Sequence, residues 1–441
     1  MMRLRIITVL AVCGTVGWAA PSGADAVVDW NAIASRTIVT GTGPARPGQV
    51  AFLDFAMVQA AVHDAVQAIE RRYEPYHVEV PGASGSRVAA TAKAAHDVLV
   101  ALFPAQTSLL DADYQAYLLA NGIAADDPGL AVGQAAAAGI LALRANDGRP
   151  ACLGCPSTEV GGTDPGVWRP TPPTFATFGV VWMGDVTPFT FGSGDKFRAD
   201  GPPPLGSSRY AKDYNEVKAL GPLVGSTRTP EQTDIAHFYA DATPILWNRA
   251  LRALATARVH RIGDSARLFA LANLANADAI ITAWDAKRHF MFWRPVTAIQ
   301  EGDNDFNGRT AGDPAWLPLI VTPNYPDYTS GANSSSGSMT RSMALFFGRD
   351  KVTFSVTSLH PLAVKKERIY TRFSAAAEDV VDARIYSGIH FRFADVDARR
   401  QAERVAEWVF KRFLRPVRGH HDDDDDDHGD DDDDDDGHGR H

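Results

Sequence analysis

The chain has 441 residues, 45% of them hydrophobic and 22% charged, which is enough apolar material for one large domain or two ordinary ones. Its formal net charge of −10 comes almost wholly from a C-terminal block that holds thirteen Asp, so the remainder is close to neutral. This balance excludes the extended basic surface that nucleic-acid binding requires.

The first 26 residues have the pattern of a secretory signal peptide. A basic start precedes an apolar stretch at 6–20, and Ala24-Asp25-Ala26 has the small residues of a cleavage site. A lipoprotein signal ending at Cys13 is disfavoured because a bulky valine stands before the cysteine. The apolar stretch is too short for a comfortable membrane span, and no later run is apolar enough for one. We therefore predict an exported protein, periplasmic or extracellular, without a stable membrane span.

Apolar residues at helical spacing dominate the rest of the chain. The pattern predicts an N-terminal helical bundle at 27–149 and a C-terminal helical bundle at 208–419. The predicted helices are 50–72, 86–102, 107–121, 130–146, 208–220, 229–240, 245–259, 265–292, 332–347, 364–386 and 394–413. Asp264 is the predicted N-cap of the helix at 265–292. Because few stretches resemble strands, we predict an all-α fold.

Residues 150–207 form a different kind of segment, rich in Pro, Gly and Thr. Its dispersed aromatic residues, such as Trp168 and Phe178, predict an ordered loop that lies across the helices between the two bundles. In an oxidising compartment, the C-x-x-C spacing of Cys152 and Cys155 most simply forms a local disulfide. A redox pair of the thioredoxin type would need a helix N-terminus after a strand, and this Gly- and Pro-rich setting disfavours it.

Two further segments are rich in acidic residues. Residues 303–308 read D-N-D-F-N-G, the first half of a calcium loop, but the twelfth position is Pro314 instead of the bidentate Glu. A tight Asx-type turn is therefore the default interpretation, and calcium is the alternative. Residues 420–441 alternate blocks of Asp with His and Gly, which predicts a disordered tail. Such a tail either binds cations weakly or only keeps the chain in solution.

Two stretches carry groups suited to an oxyanion. In WDAKRHFMFWRP, Lys287 and Arg294 are seven positions apart at the end of a helical pattern, so one helix would direct both cations the same way. A solvated basic helix end is the alternative, and the four surrounding aromatic residues disfavour it. In PNYPDYTSGANSSSG, Ser330 and Gly331 precede a helix, whose N-terminus offers free N–H groups to an anion.

A third stretch, ARIYSGIHF, adds a cation and an imidazole. Gly388 would end the helix between Arg384 and His390, so that both side chains reach one point. The His390 ring nitrogen could bond to a metal-centred oxyanion or attack a phosphorus atom. A buried core histidine is the alternative, which loses weight beside the cations and donors of the other two stretches.

The order K-x6-RP, PxYPxYxSG and R-x5-H resembles that of the vanadium-dependent haloperoxidases. That family shares a helical-bundle fold and an anion site with the phosphatidic acid phosphatase superfamily. The resemblance covers nearly the whole mature chain and is strongest to the exported bacterial branch. It implies vanadate as the cofactor, phosphate as a competing ligand, and a small-molecule substrate.

The resemblance also implies roles for individual residues. His390 would coordinate vanadium in a peroxidase, or become phosphorylated as the nucleophile of a phosphatase. Trp284 and Tyr325 fall where the family has aromatic residues near the halide pocket. The residues expected to bind the other oxygens of the anion are Lys287, Arg294, Ser330, Gly331 and Arg384.

One position departs from the family pattern. The family has Ser-Gly-His at the second motif, whereas here Ala332 stands in place of the acid/base histidine. His289 and Asn333 are the nearest replacements in sequence, and neither suits proton transfer at this point. Since a positioned acid or base contributes about 10²–10⁴-fold to the rate, we predict a haloperoxidase-like peroxidase with impaired turnover. The alternatives are an acid phosphatase acting through a phosphohistidine at His390 and a non-catalytic phosphate- or vanadate-binding protein.

Overall fold

The computed structural model describes residues 25–417, and helices form most of its regular structure. The predicted all-α class is therefore confirmed. The α-helices are α1 (Ala26–Gly41), α2 (Ala51–Glu70), α3 (Arg87–Leu102), α4 (Thr107–Ala120), α5 (Pro128–Leu143), α6 (Ser208–Leu220), α7 (Pro230–Phe238), α8 (Thr243–Arg258), α9 (Ile262–Phe290), α10 (Pro295–Gln300), α11 (Gly331–Phe346), α12 (Phe373–Tyr386) and α13 (Arg392–Arg412). Short 3-10 turns lie at Gly48–Val50, Pro104–Gln106, Val181–Asp185, Gly194–Phe197 and Gly302–Asn304.

A small hairpin interrupts the helices of the C-terminal half. Strand β1 (Phe354–Thr357) pairs antiparallel with β2 (Glu367–Tyr370). The predicted helix at 364–386 is therefore wrong in its first part, because β2 satisfies its backbone across the hairpin. Arg372, with φ −146° and ψ 144°, is still extended immediately before α12 begins.

Helix α9 lies at the centre of the protein and packs against α2, α11 and α13. Almost every side chain from its start to Lys287 is buried, as expected for a helix that other helices surround, and the buried set includes polar residues such as Asn273 and Asp278. The two predicted bundles consequently share one main hydrophobic core. The predicted cap is wrong: the helix begins at Ile262, and Asp264 instead accepts a hydrogen bond from the hydroxyl of Tyr73 at 2.6 Å.

The end of α9 differs from the sequence prediction. The helix ends at Phe290 because Met291 adopts a left-handed conformation with φ 43°. Pro295 then occupies the first position of α10, where its fixed φ favours a new helix. Lys287 and Arg294 therefore do not lie on one helix as predicted. Arg294 is instead the extended residue that precedes α10.

The Pro- and Gly-rich segment at 150–207 is ordered and packs on the helices, as predicted. Trp168 and Phe178 are fully buried within it, and a disulfide joins Cys152 to Cys155 with an S–S distance of 2.03 Å. Asp278, buried in the middle of α9, accepts hydrogen bonds from the N–H groups of residues 189 and 190 and from the Thr190 hydroxyl. One carboxylate thus fixes the segment to the central helix.

Replacing Asp278 with asparagine should lower the free energy of unfolding by on the order of 3 kcal/mol, because the amide turns N–H groups toward donors that need an acceptor. Urea unfolding with constant m-value would measure the loss. Asp303→Asn is the control, since Asp303 is exposed and accepts one hydrogen bond from the N–H of Gly312. An equal effect of both substitutions would contradict the anchoring role.

Several predictions fall at or beyond the limits of the structure. Of the predicted signal peptide at 1–26, only Asp25 and Ala26 lie within the described residues, where they cap and begin α1. The predicted acidic tail at 420–441 lies outside them. In the predicted Asx-type turn, Asp305 accepts a hydrogen bond from the N–H of Asn307. Between residues 25 and 417, no single helix is long and apolar enough to cross a bilayer, although the bent pair Arg87–Leu102 and Pro104–Ala120 passes on length and composition together.

Candidate active site

Two buried cations, one in the last turn of α9 and one just before α10, are held by backbone carbonyl groups. The Lys287 ammonium donates to the carbonyls of Pro326 and Asp327 at 2.7 and 3.1 Å. The Arg294 guanidinium donates from Nε to the carbonyl of Tyr325 and from Nη1 to that of Ile389, at 2.7 and 2.6 Å. Both side chains are fully buried. Since carbonyls carry no net charge, these hydrogen bonds neutralise neither cation, although Nη1 of Arg294 also lies 3.9 Å from Oδ1 of the buried Asp327.

A third cation, Arg384, reaches the same place from the end of α12. Its Nη1 donates to the carbonyl of Tyr239 at 3.0 Å. Burial lowers the pKa of Arg384 and of Arg294, and burial together with Arg294 holds the pKa of Lys287 well below its ordinary value. Three cations that repel each other in a buried site are stabilised by a bound anion.

His390 lies against these cations and a buried carboxylate. Its Nδ1 is 2.6 Å from Oδ1 of Asp327, and its Nε2 is 3.1 Å from Nη1 of Arg294. Burial and the nearby cations Arg294, Lys287 and Arg384 hold the pKa of His390 well below its usual range. The imidazole is therefore neutral at neutral pH, and a proton on Nδ1 shared with Asp327 leaves Nε2 with its lone pair.

The N-terminus of α11 supplies hydrogen-bond donors. Ser330 is the N-cap, and its hydroxyl accepts from the N–H of Asn333, while the N–H groups of Gly331 and Ala332 have no acceptor within the helix. A Cβ at Gly331 would come within 3.1 Å of the Trp284 ring, so only glycine allows this close approach without a shift of the ring. The dipole of this 16-residue helix adds to the attraction for an anion.

A cavity of about 390 Å³ leads to this place. Trp284 and Tyr325 form part of its wall, with ring centroids 5.0 Å apart, and the Tyr325 ring also lies 5.0 Å from Lys287 Nζ. The N-terminal half contributes an apolar wall through Ile38 and Phe52. We call the group formed by Lys287, Arg294, Arg384, His390 and the N-terminus of α11 the cage. At the cage, the cavity is lined by Gly331, Ala332, Arg384 and His390.

Ala332, which stands in place of the acid/base histidine, faces this cavity. Ala332 lines it beside Gly331 and His390, so nothing at this position carries a transferable proton. His289 is exposed on α9, with its ring against Phe290, and does not replace it. Asn333 is buried and bonds to the side chain of Asp395 at 2.8 Å.

Sequence reasoning missed two buried carboxylates. Asp327 occupies a variable position of the second motif, and Asp395 lies five residues after His390. Burial raises the pKa of Asp327 to about 7 and that of Asp395 well above its ordinary value. A search for acidic residues inside and just after the motifs would have found both, although neither spacing predicts what the carboxylate contacts.

The unpaired atoms of the site fit a tetrahedral oxyanion. Within residues 25–417, Nη2 of Arg294 and Nε of Arg384 are buried donors without a hydrogen-bond partner. The structure therefore brings together every residue predicted to bind the anion, and leaves two of their donors free for it. Oδ2 of Asp327 and of Asp395 are unpaired acceptors in the same region, so the bound state must also accommodate two carboxyl groups.

Comparison with known proteins agrees with this architecture. Residues 267–419 match the family model described as the VCPO second helical-bundle domain. This range of the chain contains all of the predicted anion-binding residues. Vanadium chloroperoxidase of Curvularia inaequalis is 24% identical over 294 residues, covering 51% of this chain. The chain spans about half the length of that relative, 47%.

Solved structures show the same fold over most of the chain. The crystal structure described as that of the first bacterial vanadium-dependent iodoperoxidase has a TM-score of 0.74 at 23% identity, and covers 90% of this chain and 97% of its own. An apo-type bacterial vanadium-dependent chloroperoxidase has a TM-score of 0.67 at 15% identity, covering 84% and 94%. The matched second helical-bundle domain, the fold and the chloroperoxidase relative therefore agree in their similarity to the vanadium haloperoxidase superfamily.

Proposed function

We propose that the protein is a vanadate-dependent haloperoxidase that oxidises halide with hydrogen peroxide at a reduced rate. The observation that carries this proposal is the convergence of Lys287, Arg294 and Arg384 around a neutral His390. Fixed cations in a buried site stabilise an oxyanion without reorganising when it binds.

Each group of the cage has a distinct task in this proposal. The three cations neutralise the anion, while Ser330 and the N–H of Gly331 donate hydrogen bonds to its oxygens. His390 presents Nε2 as the ligand of the central atom, because Asp327 holds Nδ1. Bound vanadate would supply activation of peroxide toward halide. Phosphate, a tetrahedral oxyanion of similar size, competes for the site.

The halide is expected on the aromatic side of the cavity. Trp284 and Tyr325 line it next to Lys287 and exclude water from one face of the cage. Because Ala332 has no proton to accept or give, peroxide must lose its proton to solvent. We therefore expect turnover about 10²–10⁴-fold below that of a site with a positioned base.

A phosphatase acting through His390 is the second candidate, and the contact between Asp327 and His390 favours it. A carboxylate that holds Nδ1–H makes Nε2 a better nucleophile and stabilises the positive charge that develops on the ring. The N–P bond to Nε2 forms as the P–O bond to the leaving alcohol breaks, and that alcohol takes its proton from solvent. Water then hydrolyses the phosphohistidine. Esters with acidic alcohols would react fastest, because they need no acid.

We also propose that the protein works outside the cytoplasm, in the periplasm or the extracellular space. The signal-peptide pattern at the N-terminus and the Cys152–Cys155 disulfide support this location. Its partners in this proposal are one small anion and a small-molecule substrate.

Two assays run side by side test the function. The protein is loaded with vanadate, and halide-dependent oxidation of a phenolic dye by peroxide is compared with hydrolysis of an aryl phosphate. Halide-dependent oxidation supports the peroxidase, and hydrolysis blocked by vanadate supports the phosphatase. Vanadate binding with neither activity would leave the non-catalytic anion-binding protein and contradict both enzymatic proposals.

Replacing Asp327 with asparagine should lower kcat for either reaction by about 10–100-fold, because the partner that fixes the tautomer and orientation of His390 is weakened. The KM for aryl phosphate should not rise and the affinity for molybdate should not fall, since no anion-binding donor is removed and one carboxylate is lost. The rate of phosphoenzyme formation separates this role from a structural one. A fall in molybdate affinity equal to the fall in kcat would contradict it.

A further inference from the structure

Asp395, in the first turn of α13, is a fully buried carboxyl group beside the N-terminus of α11. Its Oδ1 accepts a hydrogen bond from Nδ2 of Asn333 at 2.8 Å. Within residues 25–417, its Oδ2 and the Oδ1 of Asn333 have no hydrogen-bond partner. A buried carboxylate oxygen without a donor is costly, whereas a protonated one carries its own O–H.

The amide of Asn333 joins this carboxyl group to the anion-binding end of α11. The same Nδ2 lies 3.4 Å from the hydroxyl oxygen of Ser330. The backbone also joins the two segments, since the N–H of Ser330 donates to the carbonyl of Ala394 at 3.2 Å. Asp395 therefore stands directly behind the hydroxyl that is expected to donate to the oxyanion.

The state of Asp395 decides which way that hydroxyl donates. An ionised carboxylate attracts the Ser330 hydrogen away from the anion. A protonated carboxyl instead donates to the Ser330 oxygen, which leaves the serine hydrogen free for the anion. A bound oxyanion and a proton on Asp395 thus favour each other.

The charges facing Asp395 lead to the same conclusion. When Asp327 and Asp395 are both ionised, they face the three cations Lys287, Arg294 and Arg384, and one net positive charge remains around a neutral His390. A dianion would turn this into one net negative charge in a buried site. One added proton makes the net charge of the site zero, and a net charge in a buried site costs free energy.

We propose that Asp395 takes up one proton from solvent when a dianionic oxyanion binds, so that occupancy of the cage is coupled to pH through Asn333 and Ser330. The inference rests on the proposed anion site and adds its regulation. Burial raises the pKa of the free carboxyl group well above its ordinary value, and the nearby Ser330 hydroxyl offsets only part of this rise. A dianion beside Asp395 raises this pKa further. At a pH between the pKa of the free protein and that of the anion-bound protein, binding is therefore accompanied by proton uptake. The affinity for the anion falls as the pH rises through this window.

Calorimetric titration of the full chain with molybdate tests the coupling. Molybdate is a tetrahedral dianion above neutral pH, so any proton taken up belongs to the protein. Titrations in buffers of different ionisation enthalpy should show uptake of about one proton per anion, and affinity should fall about tenfold per pH unit within the window. Binding without proton uptake would overturn the inference and leave the anion site intact, whereas no binding at all would overturn both.

Two variants assign the proton to its site. Asp395→Asn should bind molybdate without proton uptake, while Asp397→Asn, on the same helix and bonded to the Tyr328 hydroxyl, should keep it. Full proton uptake in the Asp395 variant would overturn the assignment. If that variant does not fold, Asn333→Ala provides the second test, because loss of the bridging amide should change the pH window without removing the cations. An unchanged window would count against the bridge.

Discussion

Replacing Ala332 with histidine should raise halide oxidation by the vanadate-loaded protein on the order of 10²-fold. Ala332 lines the cavity beside Gly331 and His390, and the cavity of about 390 Å³ has room for an imidazole. The new ring would stand at the mouth of the cage, where it can accept a proton from peroxide. In a phosphatase it would protonate the leaving alcohol, so hydrolysis of esters with poorly acidic alcohols should gain most.

The gain in rate of the Ala332→His variant should depend on proton transfer by the imidazole. Ala332→Gln is the matched control, because glutamine fills similar space and donates hydrogen bonds but does not titrate. The activity of the histidine variant should depend on pH with the ionisation of an imidazole, and that of the control should not. If histidine raised neither oxidation nor hydrolysis, Ala332 would not be the reason for slow turnover and both enzymatic proposals would weaken together.

Replacing His390 with alanine should abolish turnover, with a loss of at least about 10³-fold, because the atom that bonds to vanadium or phosphorus is removed. Molybdate binding should persist within about tenfold. Lys287, Arg294 and Arg384 keep their charges, and their carbonyl partners include only one from the His390 segment, at Ile389.

His289→Ala is the control for this variant, since His289 is exposed and its ring contacts Phe290. It should leave oxidation, hydrolysis and molybdate affinity as they are. Residual turnover of the His390 variant above one tenth of the original would show that another group forms the bond. Loss of molybdate binding together with a lowered unfolding midpoint would show that His390 instead maintains the cage.

The three motifs were sufficient to predict which residues meet, because each spacing reflects local geometry. Gly388 ends the helix as predicted, with φ 77°, and this turn brings His390 back toward Arg384. The motifs could not predict what the groups contact. The 2.6 Å contact between His390 and Asp327 joins segments 63 residues apart, and only the tertiary fold determines it.

Two local predictions failed because tertiary contacts outweighed propensity. The apolar spacing at 364–386 is compatible with a helix, but pairing with β1 draws Glu367–Tyr370 into a hairpin. The apolar pattern predicted a helix that continues to residue 292, but the left-handed Met291 ends it at Phe290 and turns the chain before Arg294. That turn allows Arg294 to point at His390 without sharing a helix with Lys287.

The reacting groups and the apolar wall of the cavity come from different parts of the chain. The three cations, His390, Asp327 and Asp395 lie within the matched domain at 267–419, whereas the apolar wall residues Ile38, Phe52 and Ile245 come from outside it. Substitutions at these three apolar positions would change which molecules fit at the entrance and leave the reacting groups untouched. Selectivity in this architecture is therefore free to diverge while the chemistry stays constant.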